Sequence, residues 1–335
     1  MTVEARKVKS RSLPWVALVT VWVVWGSTYL GIDAAVETIP PMLMAGTRFL
    51  LAGLIVLAFV GPRHFTGVHR PTARHLRSTA VIGALLLLGG NGLLSVGQTG
   101  LDSGTAAIIV GTVPIWMVLV DLVAVRSRIT GGTVAALVLG TAGVAVLVGG
   151  PGSAIDLGAA VVVLVASVFW AVGSVYARKA PLPAHPLVST ALEMIAGGVL
   201  LLLVGVAAGE VSRLDLAAVS TKSSVGLLWL ILAGAVVGFS SYIYANATLP
   251  GDIVATYAYV NPVVAVALGV LLGDEAVGPN LLVGGGLIVG AVVAVVSGHA
   301  LVIAFHRRTE RPPDGSSKGG VAGRRAAEDD PPGAE

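Results

Sequence analysis

The segment from Pro40 to Gly61, PPMLMAGTRFLLAGLIVLAFVG, is an apolar run with one charge inside it, Arg48. A helix of about 20 residues, rising ~1.5 Å per residue, matches a hydrocarbon core of about 30 Å. Arg48 lies too deep in the run to be an end charge. Placing a guanidinium there costs about 2.5–3.5 kcal/mol on insertion scales, so it must face protein or water rather than lipid. From Pro186 the chain reads PLVSTALEMIAGGVLLLLVGV, with Glu193 at the matching place. Pro41 and Pro186, Arg48 and Glu193, and Gly53 and Gly198 share one offset, 145 residues. Two related apolar units, each with a buried charge, point to a duplicated membrane protein with a polar interior.

Composition agrees. A chain of 335 residues that is 55% hydrophobic and only 12% charged, with mean hydropathy +0.90, is not a soluble protein. Its 44 glycines suit close helix packing in lipid. Without cysteine it has no disulfide, thiol chemistry or Cys-based metal site. The basic N-terminus (Arg6, Lys7, Lys9, Arg11) precedes an apolar run too long for a signal-peptide core, which reads as a first spanning helix.

Ten apolar segments follow, at roughly 14–36, 40–61, 78–100, 102–124, 131–149, 157–178, 187–208, 224–248, 250–272 and 279–303. Continuous apolar runs without alternation predict helices rather than barrel strands. With ten spans, 18 of the 21 Lys and Arg fall on one side. Only Arg213 and Lys222 fall on the other. That asymmetry predicts cytoplasmic termini in an inner or plasma membrane, and it accounts for the pI near 9.3 without nucleic-acid binding. Further matches lie at offsets of 147–148: Trp22, Gly26, Ser27 and Tyr29 with Phe169, Gly173, Ser174 and Tyr176; Gln98 with Asn246; Pro114 with Pro262. Since five helices is an odd number, the second unit must be inverted relative to the first, an arrangement common in secondary transporters. The stretch 305–335 is rich in Pro, Gly and charge and reads as a disordered cytoplasmic tail.

Several intramembrane groups are candidates for a substrate pathway. Arg48 reads either as an anion-binding or gating group, or as a structural charge orienting its helix. Glu193 reads as a proton-exchanging acid or as a helix-packing group beside Ser189 and Gly197. Trp22, Trp25, Ser27 and Tyr29 in the first helix, and Trp170, Ser174 and Tyr176 in the sixth, could wall a cavity that binds cations or rings. Packing aromatics are the alternative, and Trp15 is expected to be an interface anchor. Pro114 and Pro262 each remove the helical partner of the carbonyl one turn earlier, at Val110 and Ala258. A membrane tolerates this where polar groups or a cavity compensate. Trp116 beside Pro114, and Tyr257, Tyr259 and Asn261 beside Pro262, extend that set. Asn91, Gln98, Tyr242 and Asn246 add polar atoms in the third and eighth helices. Asp121, Asp33 and Glu275 read as end or loop charges without function.

Enzyme signatures are missing. The sequence has no P-loop, no HExxH pair and no GxSxG elbow. No cofactor or metal is expected, and no intramembrane histidine is found; the expected partners are a small-molecule substrate and the bilayer.

Two inverted five-helix units, WGSTYLG in the first helix, a Pro followed by TRF in the second and prolines in the fourth and ninth resemble the drug/metabolite transporter superfamily, in its EamA-type branch. The resemblance spans about 14–303. It implies ten helices, cytoplasmic termini and a central cavity lined by helices one, three, four, six, eight and nine. It also implies export or exchange of small metabolites, amino acids or drugs. Arg48 matches the family's helix-two Arg, whereas Glu193 stands where a neutral polar residue is more usual. The expectation is therefore an all-α membrane protein with ten transmembrane helices in two inverted five-helix repeats (14–149 and 157–303), between a tail at 1–13 and one at 305–335. It would work as a secondary transporter by alternating access. A polytopic enzyme acting on lipid-linked substrates and a non-transporting scaffold are the other readings. The helix faces are compatible with a homodimer.

Overall fold

In lipid, every backbone N–H and C=O must be satisfied within its own segment, so apolar runs of this length become helices. The computed structural model is helical throughout, with no strand among the residues it describes: 12–61, 70–125, 131–149, 155–249, 251–254, 256–291 and 293. The expected tail at 305–335 and most of that at 1–13 lie outside the described residues. The helices are α1 (Leu13–Val36), α2 (Pro41–Val60), α3 (Ala73–Gly97), α4 (Ser103–Val110), α5 (Val113–Val125), α6 (Gly131–Gly149) and α7 (Leu157–Ala177). They continue with α8 (Pro186–Ala207), α9 (Glu210–Arg213), α10 (Thr221–Thr248), α11 (Gly251–Val254), α12 (Tyr257–Leu272) and α13 (Pro279–Ala291). Among the described residues, seven helical runs are long and apolar enough to cross a membrane: α1, α2, α3, Ser103–Val123, α7, α8 and α10. Shorter apolar helices occupy Val138–Leu147, Val260–Leu272 and Pro279–Ala291.

Local chemistry sets the helix ends. Proline starts α1, α2 and α8, where its missing N–H has no intrahelical acceptor to lose. Asp156 caps α7 through Gly158 N (2.7 Å) and Ala159 N (3.2 Å). At Pro114 the helix does more than lose one bond. The segment breaks at Gly111–Thr112, and Pro114 falls in the first turn of α5, where it is tolerated. Pro262 does lie inside a helix, α12. Both long polar-centred helices widen to a π-helix, α3 over Gly83–Gly92 and α10 over Leu230–Val237, with starts 147 residues apart.

The closest packing joins α2 to α8, and glycine makes it possible. A Cβ on Gly198 would lie 2.5 Å from Leu50 N and 3.0 Å from Gly46 O. One on Gly53 would lie 2.9 Å from Ala191 O and 3.0 Å from Ile195 N. The contact is reciprocal: Gly46, Leu50 and Gly53 correspond to Ala191, Ile195 and Gly198 at the 145-residue offset. Because the obstacles are backbone atoms, no rotamer change relieves them. Gly198→Val should lower stability by about 1–3 kcal/mol or more, as overpacking does. Loss of the monodisperse peak or a lower melting temperature in detergent would show this; an unchanged melting temperature would mean that the two helices pack less tightly.

The two ends of the molecule differ. Where α1 ends and α2, α4, α7 and α10 begin, a large core unites Ile32, Ile39, Leu101, Ile108 and Leu230. Glu210, only 3% exposed, accepts from Met42 N (3.3 Å) and Leu43 N (2.9 Å) and so caps α2 from α9. Glu275 accepts from Ser103 N (2.9 Å), Ser103 Oγ (2.5 Å) and Gly104 N (3.0 Å), tying the segment after α12 to the first turn of α4. Lys222 pairs with Glu37, and Thr38 bonds to Ser223 Oγ at 2.8 Å. At the opposite end a much smaller core holds Ala17, Leu18, Ala245 and Val254.

Candidate functional site

Between these ends lies a cavity of about 490 Å³. α1 contributes Trp25, Thr28, Tyr29 and Ile32; α2 contributes Arg48; α3 contributes Asn91 and Leu94. Pro114, Met117 and Val118 come from α5, Ser167 and Trp170 from α7, Phe239, Tyr242 and Asn246 from α10, and Tyr257, Asn261 and Pro262 from α12. The chain crosses over to build it: α1 packs against α10 and α12, while α7 packs against α3 and α5.

Of the residues expected along a pathway, Trp25, Tyr29, Arg48, Asn91, Pro114, Trp170, Tyr242, Asn246, Tyr257, Asn261 and Pro262 line this cavity. Val110 and Ala258, whose carbonyls have no N–H to accept from at the prolines, line it too. Gly111 faces Pro262, since a Cβ on Gly111 would lie 3.2 Å from Pro262 Cγ. The broken helix and the proline-containing helix thus meet at the cavity wall.

The remaining expected residues have other surroundings. Trp22 Nε1 donates to Thr256 Oγ1 (3.2 Å), fixing α1 to the turn before α12. Ser27 Oγ accepts from Trp229 Nε1 (3.0 Å), and Gln98 Nε2 donates to the Tyr29 carbonyl (2.9 Å). Trp116 Nε1 donates to Thr112 Oγ1 (3.1 Å) within the broken segment. Ser174 is half-buried and Tyr176 exposed, neither on the cavity wall. The side chain of Tyr259 lies outside the described residues. Glu193 sits on α8 away from the cavity, accepting from Ser189 Oγ (2.9 Å), with its backbone against Gly83 of α3. Glu193→Gln keeps that acceptor and should leave solute flux near the wild-type rate; a collapse of flux would place the acid in the pathway.

Four aromatic rings form one side of the cavity. Trp25 lies 5.1 Å from Phe239, 5.1 Å from Tyr242 and 5.3 Å from Tyr257, and Tyr242 lies 5.8 Å from Tyr257. Trp25 Nε1 donates to the Gly234 carbonyl (3.2 Å), which orients the indole. With its amide oriented by its neighbours, Asn261 donates to the carbonyls of Tyr257 and Trp22 (3.2 Å each), stitching α12 to α1.

At the end with the smaller core, Arg178 reaches across from the C-terminus of α7 to Asp121 on α5, at 2.7 and 2.9 Å. Both line the cavity. Read singly, Asp121 is an end charge and Arg178 a loop charge; 57 residues apart, nothing local joins them. Phe239, Thr28 and Ser167 also line the cavity without having stood out, because one ring or hydroxyl in an apolar helix carries no positional signal of its own.

The EamA-like transporter family model matches the chain twice, over residues 13–149 and 157–297. "Uncharacterized inner membrane transporter YedA" of Escherichia coli (strain K12) is 37% identical over 287 residues, spanning 85% of this chain and 91% of that one. "Probable terminal-alkyne amino-acid exporter" of Streptantibioticus cattleyicolor is 28% identical over 281 residues, 84% of this chain and 92% of its own. A solved crystal structure matches 85% of the chain with a TM-score of 0.58 at 20% identity, which establishes likeness of fold. The all-helical architecture and the double match over nearly the whole apolar region lead to one assignment: this chain belongs to the EamA-like transporter family and is a membrane transporter, not an enzyme.

Proposed function

We propose that the chain is a secondary transporter that exports or exchanges small organic metabolites, amino acids or drugs by alternating access. In this reading ten helices form two inverted five-helix halves, 14–149 and 157–303, with both termini in the cytoplasm. The reciprocal α2–α8 glycines, the π-helical stretches 147 residues apart and the two family matches support the duplication. The charge asymmetry of the loops supports the orientation.

One observation carries the mechanism: the cavity is walled by both halves and reaches Asp121 and Arg178 at the end with the smaller core. With the N-terminus cytoplasmic, that end is the inner one. The outer end is held by the Glu275 cap, the Lys222–Glu37 pair and the larger core. Transport then requires this seal to open while the inner end closes, with α2 and α8 as the fixed seam. Interrupted helices at the midplane, where polar groups gather, are a recurrent way to build such a site.

Purified protein in liposomes, given a panel of labelled amino acids, organic acids and amines with and without a pH gradient, tests this reading. Saturable uptake that exceeds empty liposomes is expected. Proteoliposomes that move nothing across such a panel would contradict it.

A further inference from the structure

The cavity holds an ion without a counter-ion. Arg48 is 4% exposed and lines the cavity. Among the described residues no carboxylate lies within ion-pair distance of it, and its Nε has no hydrogen-bond partner. The guanidinium carbon lies 4.6 Å from the centre of the Phe49 ring. Among the described residues, the other charges on the cavity wall, Asp121 and Arg178, neutralise each other at the inner end. An arginine stays charged when buried, and leaving that charge unpaired is costly.

Space is kept beside this charge. A Cβ on Gly234 would stand 3.2 Å from Arg48 Nη2 and 2.8 Å from Thr28 Cγ2. The same Gly234 supplies the carbonyl that holds Trp25, so the aromatic side of the cavity begins where the guanidinium ends. One planar fork of donors matches one carboxylate. A phosphate ester, with its second charge, would call for another cation, and among the described residues none lines this cavity beyond the paired Arg178.

We propose, resting on the transport reading above, that the cavity takes a carboxylate-bearing organic molecule. Its carboxylate sits on the Arg48 guanidinium, and its apolar or aromatic body packs against Trp25, Phe239, Tyr242 and Tyr257. A volume of about 490 Å³ suits a small metabolite and exceeds what an inorganic anion fills.

A matched series separates charge from shape: 3-phenylpropionate, phenylalanine, 3-phenylpropanamide and phenethylamine, with sodium chloride as the inorganic arm. Binding to the full chain in nanodiscs is followed by tryptophan fluorescence and calorimetry, and uptake of the same compounds is followed in proteoliposomes. The acid and the amino acid should bind about ten- to a hundredfold more tightly than the amide, with the amine weakest. Arg48→Gln should erase that preference and Arg48→Lys should restore part of it. Gly234→Val, which crowds the guanidinium from the other side, should weaken the acid more than the amide; this variant and the wild-type ranking decide the matter should Arg48→Gln not fold. An amine or amide that binds as well as the acid, or a series in which no carboxylate binds, would overturn the proposal. Binding of chloride that the acid cannot displace would do the same. Carboxylates that bind without moving would leave the anion site standing and remove the transport reading. An amine that moves while carboxylates do not would do the reverse.

Discussion

Trp25→Ala is expected to bring solute flux close to that of empty liposomes. The indole touches three other aromatic rings at 5.1–5.3 Å and is anchored by its bond to the Gly234 carbonyl. Each ring pair contributes about 0.5–1.5 kcal/mol beyond area burial. Losing three of them together costs about 1.5–4.5 kcal/mol of packing in the cavity wall, and the truncation also removes the apolar surface that the indole offers a ligand. The damage should be local, because the α2–α8 seam and the outer core do not depend on this ring. Trp25→Phe keeps a ring but loses the hydrogen bond, so it should retain part of the flux. The check is initial uptake rate set beside detergent melting temperature for both variants. If flux and melting temperature fell in parallel, Trp25 would be a packing residue and not a wall of the pathway.

Glu275→Gln should act on the conformational equilibrium instead. Its carboxylate collects two backbone N–H groups and a hydroxyl at the first turn of α4, where negative charge is favoured. Hydrogen bonds to a charged group are each worth about 1.5–3 kcal/mol. An amide keeps one acceptor and no charge, so a loss of about 2–3 kcal/mol is expected, a shift of roughly 30- to 150-fold toward the outward-open form. Outer-side labelling of a cavity cysteine should rise by a comparable factor, while the melting temperature changes little. Unchanged labelling with a lower melting temperature would make Glu275 a structural cap only.

The pattern of these two sites explains what the sequence could reveal. Helical class was legible because apolar length and the absence of alternation report directly on how a backbone survives in lipid. The recurrence of Gly53 as Gly198 was legible because the close crossing of α2 and α8 restricts residue type at both positions. Trp25, Tyr242 and Tyr257 could be picked out because aromatic rings near mid-helix need a reason. Glu193 stood out for its charge, yet its surroundings are a helix seam and a serine hydroxyl. The pairs that stand at the two ends, Asp121 with Arg178 and Glu275 with Ser103, stayed hidden. Each joins residues from different halves, and no spacing along one helix encodes a contact made between two. Pro114 shows the same limit: its type predicted a disturbed helix, but Gly111 and Thr112 decided that the helix breaks ahead of it.

Alternating access requires a cavity that opens to one side at a time. The chain has no cysteine, so Met117→Cys, half-buried on the cavity wall, gives a single reactive position. Its labelling by a membrane-impermeant maleimide should be measured in inside-out and right-side-out vesicles. Reaction from the cytoplasmic face, protection from the outer face, and outer reactivity appearing with Glu275→Gln at the expense of the inner is the predicted result. Equal reactivity from both faces at once, or reaction from the outer face alone with Glu275 intact, would contradict it.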